Sequence, residues 1–94
     1  LLARGEPAAF YAEIARAVTG YLADKQGVLS AGLTRDELSK ALLRRGLGEE
    51  TVRRLVRLLD DCDRMRFAPG SGEAPAREAM LGRADQVLSE LDRP

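Results

Sequence analysis

The sequence predicts an all-α fold, a compact four-helix domain whose second and third helices form a helix-turn-helix-like arrangement. Apolar residues recur every three or four positions in four separate segments, as they do on one face of a helix. No segment alternates apolar and polar residues as a half-buried strand does, and Gly and Pro residues separate the four segments. The 94 residues suffice for one hydrophobic core, and 45% apolar residues are typical of a globular chain.

The first helix is expected to begin at Pro7, because the fixed φ and missing N–H of proline suit the first helical position. It is expected to end at Gly27. Its broad apolar stripe consists of Phe10, Ile14, Val18 and Leu22, flanked by Tyr11, Ala15 and Tyr21. We expect this stripe to be buried.

The second helix has the clearest start signal. Thr34 and Glu37 have the spacing of a capping box, in which each side chain binds the backbone N–H of the other. Leu33 and Leu38 occupy the two positions of a hydrophobic staple, and Gly46 is expected to end the helix in a left-handed conformation. The residues predicted to point inward are Leu38, Ala41 and Leu42.

The third and fourth helices are predicted from their apolar stripes. Gly48 is expected to cap the third helix, and Glu49 and Glu50 suit the positive end of its dipole. Its stripe is Val52, Leu55, Val56, Leu59, Cys62 and Met65. After a turn over residues 69–72, the fourth helix should begin near Pro75 and end before Pro94. Its stripe is Leu81, Ala84, Val87, Leu88 and Leu91.

The residue types present argue against catalysis. The chain has no His, which removes the commonest general base and the commonest metal ligand. Cys62, the only cysteine, lies on an apolar stripe beside acidic residues that raise a thiol pKa, so a buried structural thiol is expected. Asp60, Asp61 and Asp63 point in different directions on a helix, and we expect solvated helix surface rather than a metal site. The sequence therefore predicts a non-enzymatic domain without catalytic residues, metal or cofactor.

The helix-turn-helix outline makes nucleic-acid binding the alternative function, with Arg53, Arg54 and Arg57 on the candidate recognition helix. Basic and acidic residues number 15 each, so no overall field attracts a polyanion. Four pairs at a spacing of four residues are expected to neutralise this helix: Glu49 with Arg53, Glu50 with Arg54, Arg57 with Asp61, and Asp60 with Arg64. We therefore expect no nucleic-acid partner.

The stretch from Arg64 to Pro69 is the most unusual in the chain, because two arginines, an aromatic residue and a proline stand where a helix gives way to a loop. Two interpretations remain open. The stretch is a docking edge, or Phe67 fills the bottom of the core and Pro69 merely ends the helix. The second is favoured, since most aromatic residues of small domains lie in the core.

Several segments together resemble the carboxy-terminal region of the BatD family of bacterial oxygen-tolerance proteins. These segments are Phe10-Tyr11, Tyr21-Leu22, Leu33–Leu38, Leu58–Asp63 and, above all, Arg66-Phe67-Ala68-Pro69. The resemblance covers most of the chain, from about Pro7 to Leu91. It implies a membrane-anchored parent, with residues 1–6 as a juxtamembrane linker and residues 7–94 as a single helical domain on the cytoplasmic face of the inner membrane.

The resemblance also implies partners, namely von Willebrand factor A-type membrane proteins, a MoxR-type AAA+ ATPase, or both. It provides no catalytic residues. The expected function is that of a cytosolic protein-interaction domain. The candidate partner-binding residues are Arg53, Arg57, Arg64, Arg66, Phe67 and Pro69.

Overall fold

The computed structural model describes residues 7–29, 32–68 and 72–92, and within these ranges it confirms the all-α, four-helix prediction. The helices are α1 (Pro7–Tyr21), α2 (Arg35–Arg44), α3 (Glu49–Met65) and α4 (Ala74–Leu91), with a π-helical turn (Leu22–Gln26) directly after α1. The central helix is α3, which packs against the other three. The linker predicted at residues 1–6, and Pro69 and Pro94, lie outside the described residues.

The first helical segment begins at Pro7 and ends at Gly27 as the sequence predicts, but α1 itself ends at Tyr21 and its continuation, Leu22–Gln26, is π-helical. The φ of Gly27 is 68°, which is left-handed. Tyr11, Val18 and Leu22 are completely buried. Phe10 is only partly buried, and its ring lies nearly perpendicular to the Tyr11 ring, with 5.0 Å between the ring centroids. The stripe therefore faces the core, and Phe10 lies at its margin.

The capping box at the start of α2 is confirmed. The Thr34 hydroxyl accepts a hydrogen bond from the Glu37 N–H at 3.0 Å, and Glu37 Oε1 accepts one from the Thr34 N–H at 2.9 Å. Two N–H groups that the helix leaves without a partner are thereby satisfied. Leu38 and Leu42 are buried against the neighbouring helix α3.

A tight turn joins α2 to α3. Gly46 has a φ of 93°, the left-handed conformation that the sequence predicts. Its N–H donates to the Leu43 carbonyl at 3.0 Å, and the Leu47 N–H donates to the Leu42 carbonyl at 3.3 Å. This is the Schellman pattern, which satisfies the last carbonyls of α2. Gly48 then caps α3, so consecutive helices pack in a helix-turn-helix-like outline.

The buried face of α3 is wider than its stripe predicts. Val52, Leu55, Leu59 and Cys62 are buried as expected, but Leu58 is also completely buried. Because α3 contacts three helices, residues on more than one side of it are covered. A simple stripe of one residue in every three or four understates the core of such a helix.

One apolar residue of α4 lies on the opposite side from that predicted. The sequence predicts that Leu81 faces inward, but Leu81 is 50% exposed, and Met80 takes its place in the core at 3% exposure. Successive residues of a helix are rotated by about 100°, so Met80 and Leu81 cannot share one narrow face. The residues of α4 that are buried, Met80, Ala84, Val87 and Leu91, form a continuous four-three-four pattern. The Met80 sulfur lies 4.0 Å from the Cys62 sulfur across the α3–α4 interface.

Candidate partner-binding surface

A surface groove of ≈ 580 Å³ runs between α2 and α3. Leu43, 41% exposed, and the partly buried Val56 give it an apolar floor that solvent reaches. Its remaining lining residues are Ser39, Glu49, Val52, Arg53, Arg57, Asp60, Asp61 and Arg64. We call this feature the α2–α3 groove.

The α2–α3 groove brings together three of the predicted partner-binding residues. Arg53, Arg57 and Arg64 all line it, because they lie along α3 at spacings of four and seven residues. Arg66 and Phe67 lie just past the end of α3. Pro69 lies outside the described residues.

Two arginines of α3 are held by carboxylates. Arg53 forms an ion pair with Glu50 at 2.7 Å, and Arg54 lies 3.5 Å from the second oxygen of Glu50. Arg54 also pairs with Glu90 of α4. The predicted pair of Glu50 and Arg54 is thus confirmed, and these two guanidinium groups are locally neutralised.

Asp61 is not the solvated surface residue that the sequence predicts. It is buried at 8% exposure, and each of its oxygens faces a guanidinium group. Arg64, one turn further along α3, takes Oδ1, and Nη2 of Arg83 in α4 lies 2.8 Å from Oδ2. A buried carboxylate needs such partners because losing its hydration is costly. The prediction failed because Arg83 comes from a different helix, which spacing within α3 cannot reveal.

Asp60 and Asp63 of α3 both form ion pairs with a residue of α2. Arg35 bridges them, with its Nε 2.9 Å from Asp60 and its Nη2 3.0 Å from Asp63. Arg35 directly follows the capping residue of α2, and no spacing in the sequence predicts its pairing with residues of α3. The bridge fixes α2 against α3 on the side where these two carboxylates lie.

Three of the four predicted pairs along α3 are not formed. Glu49 does not pair with Arg53, nor Asp60 with Arg64, because other partners hold Arg53, Asp60 and Arg64. The pair expected between Arg57 and Asp61 is also wrong, since Arg64 and Arg83 occupy Asp61. Among the described residues, Arg57 has no carboxylate partner.

Phe67 does not fill the bottom of the core. It is 83% exposed, the highest exposure among the described large apolar residues. The Phe67 N–H donates to the Arg64 carbonyl at 3.4 Å, so the chain is still turning when α3 ends and carries the ring outward. Arg66 beside it is half-buried and lies 3.9 Å from Asp63. This exposed aromatic ring favours the docking-edge interpretation of the stretch from Arg64 to Pro69.

Comparison with known proteins adds nothing to this geometry. The chain matches no family model, no curated protein and no solved structure.

The thiol of Cys62 is shielded from solvent. It is 1% exposed, and burial raises its pKa, with Asp63 and Asp61 adding to the increase and Arg83 opposing it. A thiol in this state is a poor nucleophile because the thiolate is the reactive form.

Within the described ranges, no three His, Cys, Asp or Glu residues are grouped so as to hold a metal ion. No helix in those ranges is both long and apolar enough to cross a membrane.

Proposed function

We propose that this chain is a non-enzymatic protein-interaction domain that binds its partner through the α2–α3 groove and Phe67. The observation that carries the proposal is the exposure of Phe67 at 83%, three residues beyond Arg64 at the end of the groove. Leaving an aromatic ring in water forgoes the free energy of burying it. Exposed aromatic and arginine side chains are the types that most often dominate protein–protein binding.

The groove supports the same function through its mixed lining. Leu43 and Val56 offer apolar contact area, and Arg53, Arg57 and Arg64 stand around it. Interfaces typically combine an apolar centre with a polar rim, as this groove does. The inaccessible Cys62 and the absence of His from the sequence support a role in binding rather than in catalysis.

The proposal includes a cellular location, which rests on the sequence resemblance alone. In it, the domain belongs to a membrane-anchored BatD-like protein and lies at the cytoplasmic face of the bacterial inner membrane, after a juxtamembrane linker over residues 1–6. Its partners are von Willebrand factor A-type membrane proteins, a MoxR-type AAA+ ATPase, or both.

An NMR titration tests this proposal. The isotope-labelled chain is mixed with the soluble domain of a von Willebrand factor A-type partner protein and, separately, with the MoxR-type ATPase. We expect chemical-shift changes at Leu43, Val56, Arg57, Arg64 and Phe67. Shifts confined to other faces, or none with either protein, would contradict the proposal. Leu29 is a matched internal control, because it is also exposed, at 72%, and does not line the groove.

The helix-turn-helix outline favours nucleic-acid binding as a second candidate, as does Arg57, which pairs with no carboxylate in the described part of the chain. Its weakness is that Glu50 and Glu90 already hold Arg53 and Arg54. A gel shift with duplex DNA at low salt decides between the candidates, because phosphate contacts are strongest there. We expect no shifted band, and a band that disappears as salt increases would favour this second candidate.

A further inference from the structure

Three guanidinium groups lie near Asp61, and among the described residues that of Arg57 pairs with no carboxylate. Arg64 and Arg83 each take one oxygen of Asp61, while Arg57, one turn before Asp61 on α3, has no ion pair among the described residues. Arg57 also lines a second depression, of ≈ 380 Å³, between α3 and α4. It therefore stands on the ridge where the two depressions meet, and its charge is available to a ligand.

The other carboxylates of the groove do not compensate Arg57. Asp60 is held by Arg35. Glu49 lies eight residues before Arg57, a distance of about 12 Å along the helix. The middle of the groove is thus a local site of positive charge, although the whole chain is neutral.

Apolar surface lies directly beside this charge. Val56 precedes Arg57 in α3, and Leu43 of α2 lines the same groove and is 41% exposed. A guanidinium group binds a carboxylate through two parallel hydrogen bonds, and an uncovered Leu favours an apolar side chain. A ligand that satisfies both the guanidinium group and the apolar surface must carry a carboxylate and an apolar side chain.

We infer that the groove takes an acidic peptide segment of the partner, in which an Asp or Glu pairs with Arg57 and a nearby apolar side chain covers Leu43 and Val56. The inference rests on the proposed function and specifies its partner chemistry. A nucleic acid fits less well. Among the described residues, Arg57 is the one cation of the groove without a carboxylate partner, which suits a single carboxylate, whereas a phosphate backbone requires several cations. Glu49, which lines the same groove and has no ion pair among the described residues, would also repel a polyanion.

Selection of peptides tests the inference with a defined probe. A phage-displayed library of random dodecapeptides is selected against the full chain, and the peptides whose NMR shifts map to the groove are sequenced. We expect these peptides to be enriched in Asp or Glu close to an aliphatic or aromatic residue. Their Kd should increase about 10- to 100-fold with Arg57→Glu, since a hydrogen bond to a charged group contributes about 1.5–3 kcal/mol.

Arg44→Glu is the matched control, because Arg44 is exposed, has no carboxylate partner among the described residues and lines a different depression. It should leave the Kd unchanged within about twofold. Groove-binding peptides without acidic residues, or equal binding by Arg57→Glu, overturn the inference and leave the proposed function intact. A selection that yields no groove-binding peptide counts against both.

Discussion

Arg83 of α4 and Asp61 of α3 form an ion pair across a helix interface, with 2.8 Å between Nη2 and Oδ2. Arg64 holds the other carboxylate oxygen from within α3. The arrangement links α4 to α3 at a buried carboxylate. It also leaves Arg57, which lines the α2–α3 groove, without a carboxylate partner among the described residues.

The first prediction concerns Asp61 itself. Asp61→Asn should lower the free energy of unfolding by about 1–3 kcal/mol, because the amide can no longer accept from both guanidinium groups. The loss stays moderate because Arg64 is exposed and Arg83 is partly exposed, so water can solvate both guanidinium groups. Urea denaturation measures it, with Asp85→Asn on the exposed face of α4 as the control. Equal stability of the two variants would mean that the Asp61 ion pairs contribute nothing.

The second prediction concerns the capping box of α2. Thr34→Ala should destabilise the fold by about 1 kcal/mol, because the Glu37 N–H loses its acceptor. Thr34→Ser keeps a hydroxyl at the cap and should lose much less. Both variants are compared by thermal and urea denaturation. If Thr34→Ala and Thr34→Ser unfold alike, the hydroxyl hydrogen bond is not what stabilises this helix start.

The third prediction concerns Cys62. Its thiol should react with an alkylating reagent far more slowly in the folded chain than in urea, because it is buried and its pKa is raised. As the pH is raised, the reaction in urea should accelerate at a lower pH than the reaction of the folded chain, because the unfolded thiol ionises at lower pH than the folded one. Mass spectrometry follows the labelling over time. Rapid labelling in the native state would contradict the buried position of Cys62.

The fourth prediction concerns the Tyr21 hydroxyl, which donates a hydrogen bond to Asp92 at 2.7 Å. This bond raises the pKa of Tyr21, with smaller contributions from burial and from the Asp92 charge. A raised folded pKa means that the bond stabilises the fold below about pH 10 and is lost as pH rises through the folded pKa. Asp92→Ala should return the Tyr21 pKa towards its ordinary value, as followed by phenolate absorbance. An unchanged titration curve would exclude the bond in solution.

The features that the sequence predicted well depend on near neighbours. The capping box of Thr34 and Glu37 and the left-handed Gly46 are decided within a few residues, so the local pattern contains the needed information. The stripe of α1 was also predicted, because a helix that packs on one side buries one periodic face.

The features that the sequence missed depend on residues far apart in the chain. Asp61 is buried because Arg83 reaches it from α4, and Asp60 is held by Arg35 from α2. Neither pair has a spacing that a single helix reveals. The general preference of aromatic residues favours a core position for Phe67 over the docking-edge interpretation, but the turn after α3 points the ring outward.

The most direct test of binding through the groove and Phe67 is calorimetric titration of the partner into the Phe67→Ala variant. Because Phe67 is 83% exposed, the thermal midpoint should stay unchanged while the Kd increases about tenfold or more. Leu29→Ala removes a comparably exposed side chain outside the groove and should leave the Kd as it was. Equal Kd values for the wild type, Phe67→Ala and Leu29→Ala would show that the partner binds elsewhere.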